Sequence, residues 1–224
     1  MTPEPTQQTV AIIGGHGQIA LLVTARLAAA GHRVLGVIRN PDHAGDIEAA
    51  GGEPVLADIE HASAEELAGA IGAADTLLFA AGAGPGSGPA RKETVDHGGA
   101  LTTIAAAGLL GARVVQISYI GVANTPPESA GPDFLAYQRA KYAADLALEA
   151  SGLDWTIVRP GTLTNDPGTG PVTVGAALDR GPVSRENIAA VLAEVLVGAG
   201  LSGASFDVLD GATGVGEAVA GLAV

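Results

Sequence analysis

The chain has 224 residues, 24 of them acidic and 11 basic, which gives a formal net charge of −13, and it has no cysteine. That length suits one domain with a sizeable core, while the negative charge and a scarcity of aromatics (three Tyr, three Phe, one Trp) argue against a nucleic-acid or anionic-membrane partner. Without cysteine, disulfides, thiolate metal sites and cysteine nucleophiles are excluded.

Met1 to Thr9 is polar with two prolines, so residues 1–8 read as a flexible N-terminus without the charged and apolar regions of a signal peptide. Apolar stretches elsewhere fall short of the ~18 to 20 residues of a membrane span, and the expectation is a soluble, cytoplasmic protein. Thr9 to Ile13 reads as a strand, the glycines after it as a turn, and Gln18 to Ala30 as a helix. Further strands are predicted at Arg33 to Ile38, Glu53 to Ala57, Thr76 to Ala80, Arg113 to Ser118, Trp155 to Arg159 and Ser205 to Leu209. Between them, Ser63 to Ile71, Arg91 to Ala107, Phe134 to Ala150 and Ser184 to Val197 have helical length and composition, with Ser63 and Ser184 as caps. Short strands alternating with longer helices predict an α/β fold, a doubly wound parallel sheet of the Rossmann kind. The whole chain reads as one domain, with a small substrate-side segment at about residues 159–185. Gly82 to Pro89 and Asn165 to Pro171 are rich in Gly and Pro and lie near predicted strand C-termini, the edge where open α/β sheets bind ligands.

After the first strand comes Gly14-Gly15-His16-Gly17-Gln18-Ile19-Ala20, which satisfies G-x-G-x-x-A. Glycine serves there because the chain turns sharply and backbone N–H groups must approach a pyrophosphate. A plain glycine-rich turn is the bland alternative; the strand before and the helix after favour dinucleotide binding. A cofactor without a 2′-phosphate usually meets an acid at the end of the second strand. This chain has Arg39 and Asn40 there. Arg39 can pair with a 2′-phosphate, so NADP(H) is expected over NAD(H). Asp58, followed by Ile59, either accepts from the adenine amino group or makes a turn.

The sequence resembles the atypical short-chain dehydrogenase/reductases, in particular the small bacterial sugar-epimerase-like and NmrA-like members. The resemblance runs through the glycine loop, Ala80-Ala81-Gly82, Ile117-Ser118, Tyr137-Gln138-Arg139-Ala140-Lys141, the stretch from Ser151 to Gly161, Leu163-Thr164-Asn165 and Val183-Ser184-Arg185. It implies a chemical core of Ser118, Tyr137 and Lys141. Tyr137 and Lys141 are i and i+4 on a predicted helix, hence on one face, where an ammonium lowers a phenol pKa. Ser118 would orient a carbonyl oxygen. The same analogy places Lys141 also on the nicotinamide ribose and Pro160, Gly161 and Leu163 beside the nicotinamide ring. Family members with a catalytic tetrad carry an Asn on the helix that runs here from Arg91 to Ala107; this helix has none, and Asp96 is nearest by position. Asn124-Thr125-Pro126-Pro127 reads as an irregular loop that covers or displaces the site, and Arg159 as an anchor to a carboxylate. The five histidines show no ligand spacing, and no metal site is expected.

These features predict an NADP(H)-dependent oxidoreductase or epimerase-like enzyme acting on a small carbonyl or alcohol. A net charge of −13 argues against highly anionic substrates. Two other readings stay open: a non-catalytic NAD(P)-binding sensor or partner-binding protein, and a flavin- or quinone-type reductase that needs no tyrosine acid.

Overall fold

The computed structural model describes residues 7–127, 129–198 and 201–222. Its elements are β1 Thr9–Ile13, α1 Gln18–Ala29, β2 Arg33–Ile38, a 3-10 turn Pro41–His43, α2 Ala44–Ala49, β3 Glu53–Leu56, α3 Ala64–Ile71 and β4 Thr76–Phe79. Then come α4 Pro89–Arg91, a π-helical segment Lys92–Gly98, α5 Gly99–Leu110, β5 Arg113–Ile117, α6 Pro132–Glu149 and β6 Trp155–Pro160. The rest is β7 Thr162–Thr164, β8 Val172–Gly175, β9 Pro182–Ser184, α7 Arg185–Val197, β10 Ala204–Asp210 and α8 Val215–Ala220.

Eight strands form the main sheet in the order β3-β2-β1-β4-β5-β6-β10-β8, and β7 pairs with β9 in a small second sheet. All main-sheet pairings are parallel but one: β8 runs antiparallel to β10, its Val174 opposite Val208. That edge strand departs from the all-parallel expectation, and it closes the sheet because the chain doubles back after Pro171 rather than crossing over a helix. Side chains alternate across the sheet, so along β1 Val10 and Ile12 enter the core under α1 and α7, while Ala11 and Ile13 enter the core under α3, α5 and α6. Both faces of β1 are therefore dry, which is why its sequence is an unbroken apolar run. Leu27, Leu67, Leu148 and Leu192 are fully buried on the helices that cover it, each stabilising the fold by ~1.5 to 3 kcal/mol.

Both predicted caps form. Ser63 Oγ accepts from Glu66 N–H while Glu66 returns a bond to Ser63 N–H, and Ser184 Oγ accepts from Asn187 N–H at 3.1 Å. The helix expected over Arg91 to Ala107 begins at Pro89 and passes through a π-helical stretch before α5. Gly99 lets that helix lie against the chain after β3, since a Cβ there would come 2.7 Å from Ile59 Cδ1. Residues 1–6 lie outside the described part, as does most of the expected flexible terminus; Gln7 and Gln8, the remainder, bond to Gly31 and His32. No helix among the described residues is long and apolar enough to cross a membrane.

Candidate functional site

β1 sits between β2, which leads outward to β3, and β4, which leads the other way to β5. At such a reversal of strand order the loops at the strand C-termini diverge and leave a crevice. Two cavities occupy it, of about 310 and 1010 Å³, and they share Gly17, Ala80, Ala81 and Gly82, so that one groove crosses the sheet edge.

The glycine loop forms the groove floor. Gly14 has φ +86°, and a Cβ on it would come 2.7 Å from Ala81 Cα. Gly15 lies against β2, where a Cβ would come 2.7 Å from Gly36 Cα; it lets loop and sheet pack and lines neither cavity. Gly17 differs: a Cβ there would meet only Gly14 O, at 3.3 Å, and Ala20 Cβ, at 3.9 Å. It caps α1 without a side-chain hydrogen bond, so the first N–H groups of that helix, followed by Gln18 and Ile19 on the groove wall, are open to an anion. Such a floor fits a dinucleotide pyrophosphate.

His16, Arg39, Asp58 and Ile59 line the smaller cavity. Asn40 does not. Its carboxamide oxygen accepts from Asp42 N–H at 3.1 Å and caps the 3-10 turn. No acid stands at the end of β2, but Arg39 meets one from beyond β3: its Nη1 donates to Glu60 Oε2 at 3.0 Å. Glu60 also accepts from Arg91 at 2.6 Å and from Thr94 at 2.7 Å, and the Arg91 bond, ahead of the opposing burial, holds its carboxyl below the usual range. Two guanidinium groups thus converge on one carboxylate. Arg91 was missed in the sequence because it comes 31 residues after Glu60 with no local pattern linking them. Asp58 accepts from Glu60 N–H at 3.0 Å, the turn alternative, and also bonds His61. His16 stacks on His43 with centroids 3.6 Å apart and bonds Asp46, which makes it part of a built wall.

Ser118, Tyr137, Lys141, Pro160, Gly161 and Leu163 line the larger cavity. Tyr137 and Lys141 do share one face of α6, but the pairing expected between them is replaced by others. Lys141 Nζ donates to Ile117 C=O at 2.5 Å and lies 5.4 Å from the Phe79 ring centroid. Burial pushes its ammonium pKa down against the pull of Asp145 and Asp96. The Tyr137 phenol goes up rather than down, first through burial, then through Asp96, Tyr119 and Asp145. It stacks on Tyr119 with centroids 5.4 Å apart, and Lys92 Nζ stands 5.5 Å from its ring centroid. Ser118 Oγ donates to Asp145 Oδ2 at 2.7 Å. Gln116 donates to the other oxygen at 2.6 Å, while Arg159 stands 3.6 Å away, making Asp145 the carboxylate that Arg159 was expected to find.

Asp96 lies in the π-helical segment, buried, with Oδ2 accepting from Ala83 N–H at 3.0 Å. Burial raises its carboxyl pKa against that hydrogen bond, Lys141 and Lys92. The expected irregular loop is tied to α6 rather than displacing the site: Gln138 Nε2 donates to Val122 O at 3.1 Å and Asn124 O at 2.5 Å. Among the described residues no cluster of three or more His, Asp or Glu is suited to a metal.

A family model described as NAD(P)H-binding matches residues 14–198. The uncharacterised sugar epimerase YhfK of Bacillus subtilis is 37% identical over 212 residues, covering 94% of this chain and 98% of that protein. A solved structure from Bacillus halodurans, provisionally described as an NAD-dependent epimerase/dehydratase, is 30% identical with a TM-score of 0.88, covering 96% of this chain and 100% of that one. A short-chain dehydrogenase/reductase of Veillonella parvula in complex with NADP shares the fold, with a TM-score of 0.70 at 20% identity over 92% of this chain and 96% of that one. These likenesses agree with the resemblance drawn from the sequence.

Proposed function

The chain belongs to the NAD(P)H-binding family, and from that membership we propose that it is a cytoplasmic NADP(H)-dependent oxidoreductase of the epimerase-like kind, acting on a small carbonyl or alcohol. The observation that carries this reading is the single groove running from the Arg39 and Arg91 pair, over the bare N-terminus of α1, to Tyr137. The backbone N–H groups after Gly14 would hold the pyrophosphate, Arg39 and Arg91 the 2′-phosphate, and Lys141 the ribose. When bound, the nicotinamide supplies or accepts a hydride. Tyr137, its phenol protonated at neutral pH and held above its ordinary pKa by burial, would serve as hydrogen-bond donor and acid toward a carbonyl oxygen. Lys141 and Asp145 keep the floor of the site in place through Ile117 and Ser118.

A second reading has its own support. With the Ser118 proton committed to Asp145 and the Lys141 ammonium bonded to Ile117, Tyr137 lacks the partners that would make it a ready proton donor. That favours a quinone- or flavin-type acceptor, which solvent can protonate. Fluorescence titration with NADPH and NADH, followed by NADPH oxidation over aldehydes, ketones, quinones and flavins, tests both. Failure of either nucleotide to bind overturns the proposal, and binding without turnover on the whole panel points to the sensor reading.

A further inference from the structure

The larger cavity carries four cationic side chains, Lys92, Lys141, Arg180 and Arg185, against the carboxylates of Asp96 and Asp133, in a chain of net charge −13. The local balance is opposite in sign to that of the whole molecule, and a cleft with low-dielectric walls focuses such a field. Three of the cations are bonded to neutral acceptors: Lys92 to Gly84 C=O at 2.6 Å, Lys141 to Ile117 C=O at 2.5 Å, and Arg185 to the Asn165 carboxamide at 2.7 Å. A carbonyl oxygen satisfies a donor but cancels no charge. Arg180 has less still; among the described residues it has no carboxylate within 4.0 Å and no hydrogen-bond acceptor.

The backbone that carries it is held nonetheless. Leu178 N–H donates to Asp207 Oδ2 at 2.9 Å and Gly181 C=O accepts from Thr162 N–H at 2.8 Å, so the chain is pinned on both sides of Arg180. The guanidinium lies against the turn after β5, where a Cβ on Gly121 would come 3.4 Å from its Nη2. Its charge opposes the rise that burial causes in the Tyr119 phenol, which is pushed up to about 12. Tyr119, Tyr137 and Phe134 line the same cavity as Arg180, the two tyrosine rings stacked with centroids 5.4 Å apart and Phe134 tilted 6.5 Å from Tyr137.

We infer that the substrate of the proposed oxidoreductase carries a carboxylate beside a planar unsaturated group, the carboxylate pairing with Arg180 and the plane lying along Tyr119. This inference rests on the nucleotide-dependent reading above. A planar guanidinium matches a carboxylate with two parallel hydrogen bonds, and among the described residues no carboxylate competes for this one.

The test uses the full chain saturated with NADP, titrated calorimetrically with naphthoate and with naphthamide, probes of like shape that differ in charge. NADP binding is measured first; its absence overturns the nucleotide reading and this inference with it. With NADP bound, naphthoate is expected to bind about tenfold more tightly than naphthamide, the scale of a charge-assisted pair. Arg180→Gln is expected to remove that preference while leaving naphthamide and NADP affinities within about twofold, and at an exposed position the variant should fold as the wild type does. Equal affinities in the wild type, a preference that survives Arg180→Gln, or no naphthoate binding at all overturns the inference while leaving NADP binding intact.

Discussion

The hydroxyl of Ser118 donates to the carboxylate of Asp145 across 2.7 Å, and the two residues are 3% and 1% exposed. A buried carboxylate needs such donors, and here Gln116 supplies the second. Ser118→Ala leaves one carboxylate oxygen short of a partner, so a loss of ~1 to 3 kcal/mol of stability is expected, with NADPH affinity nearly unchanged. Urea unfolding beside a fluorescence titration reads both. An unaltered unfolding midpoint would show that the bond contributes nothing to the fold.

Asp96 gives a pH-dependent counterpart. Burial lifts its carboxyl above the ordinary 3.8, so the folded protein holds that proton more tightly than the unfolded chain. The resulting stabilisation is complete below the unfolded value and is lost as pH rises through the folded one. Asp96→Asn has no proton to lose there and keeps an oxygen for Ala83 N–H. The unfolding temperature of the variant relative to wild type is expected to rise as the pH climbs above the ordinary carboxylate value of 3.8. A constant difference above that value contradicts the shift.

At the far end of the groove, Glu60 competes for the two guanidinium groups that a 2′-phosphate would use. Glu60→Gln is expected to raise the ratio of NADPH to NADH affinity several-fold. Arg39→Ala should lower that ratio by about tenfold, a modest figure because the Arg39 side chain is 56% exposed and solvent screens it. Equal affinity for the two nucleotides in the wild type, unaffected by either substitution, would remove the 2′-phosphate assignment.

The sequence makes some of this site legible and hides the rest for a physical reason. The strand, glycine turn and helix from Thr9 to Ala29 are encoded locally, in an apolar run, in glycine spacing and in a 3.6-residue period. Tyr137 and Lys141 could be placed on one face by spacing alone, but the acceptor that claims Lys141 is Ile117 C=O, 24 residues away on β5. Glu60 with Arg91, Ser118 with Asp145, and Arg180 against Gly121 likewise meet only once the strand order is known. β7, β8 and β9 have three or four residues each, too few for an alternation to show, so the antiparallel edge stayed hidden.

Gly17 and Gly14 separate binding from folding. Gly17 has φ −62° and ψ 149°, a conformation open to any residue, and its missing Cβ faces the groove. Gly17→Val is therefore expected to abolish nucleotide binding while circular dichroism and the unfolding temperature stay near wild type. Gly14→Val puts a β-branched side chain at φ +86° and against Ala81, and should destabilise the fold itself. Undiminished binding in Gly17→Val would place the dinucleotide elsewhere.

Tyr137 decides between the two chemistries. Removing its hydroxyl in Tyr137→Phe keeps the ring on Tyr119 and leaves the glycine loop and both arginines untouched, so NADPH affinity should hardly change. If the phenol is the acid, carbonyl reduction falls by about 10² or more, the usual contribution of a positioned proton donor. Because burial and the neighbouring carboxylates keep the phenol protonated, wild-type reduction should show no loss from phenol ionisation between about pH 6 and 9, whereas a phenol lowered by Lys141 would begin to titrate in that window. Lys141→Met keeps the length but removes the ammonium that holds Ile117 C=O, and should weaken nucleotide binding as well as turnover. Quinone or flavin reduction that survives Tyr137→Phe at full rate assigns the proton to solvent, since such acceptors take it after reduction without a donor in place. Carbonyl reduction that survives the same substitution would remove Tyr137 from the chemistry and leave it as part of the aromatic wall.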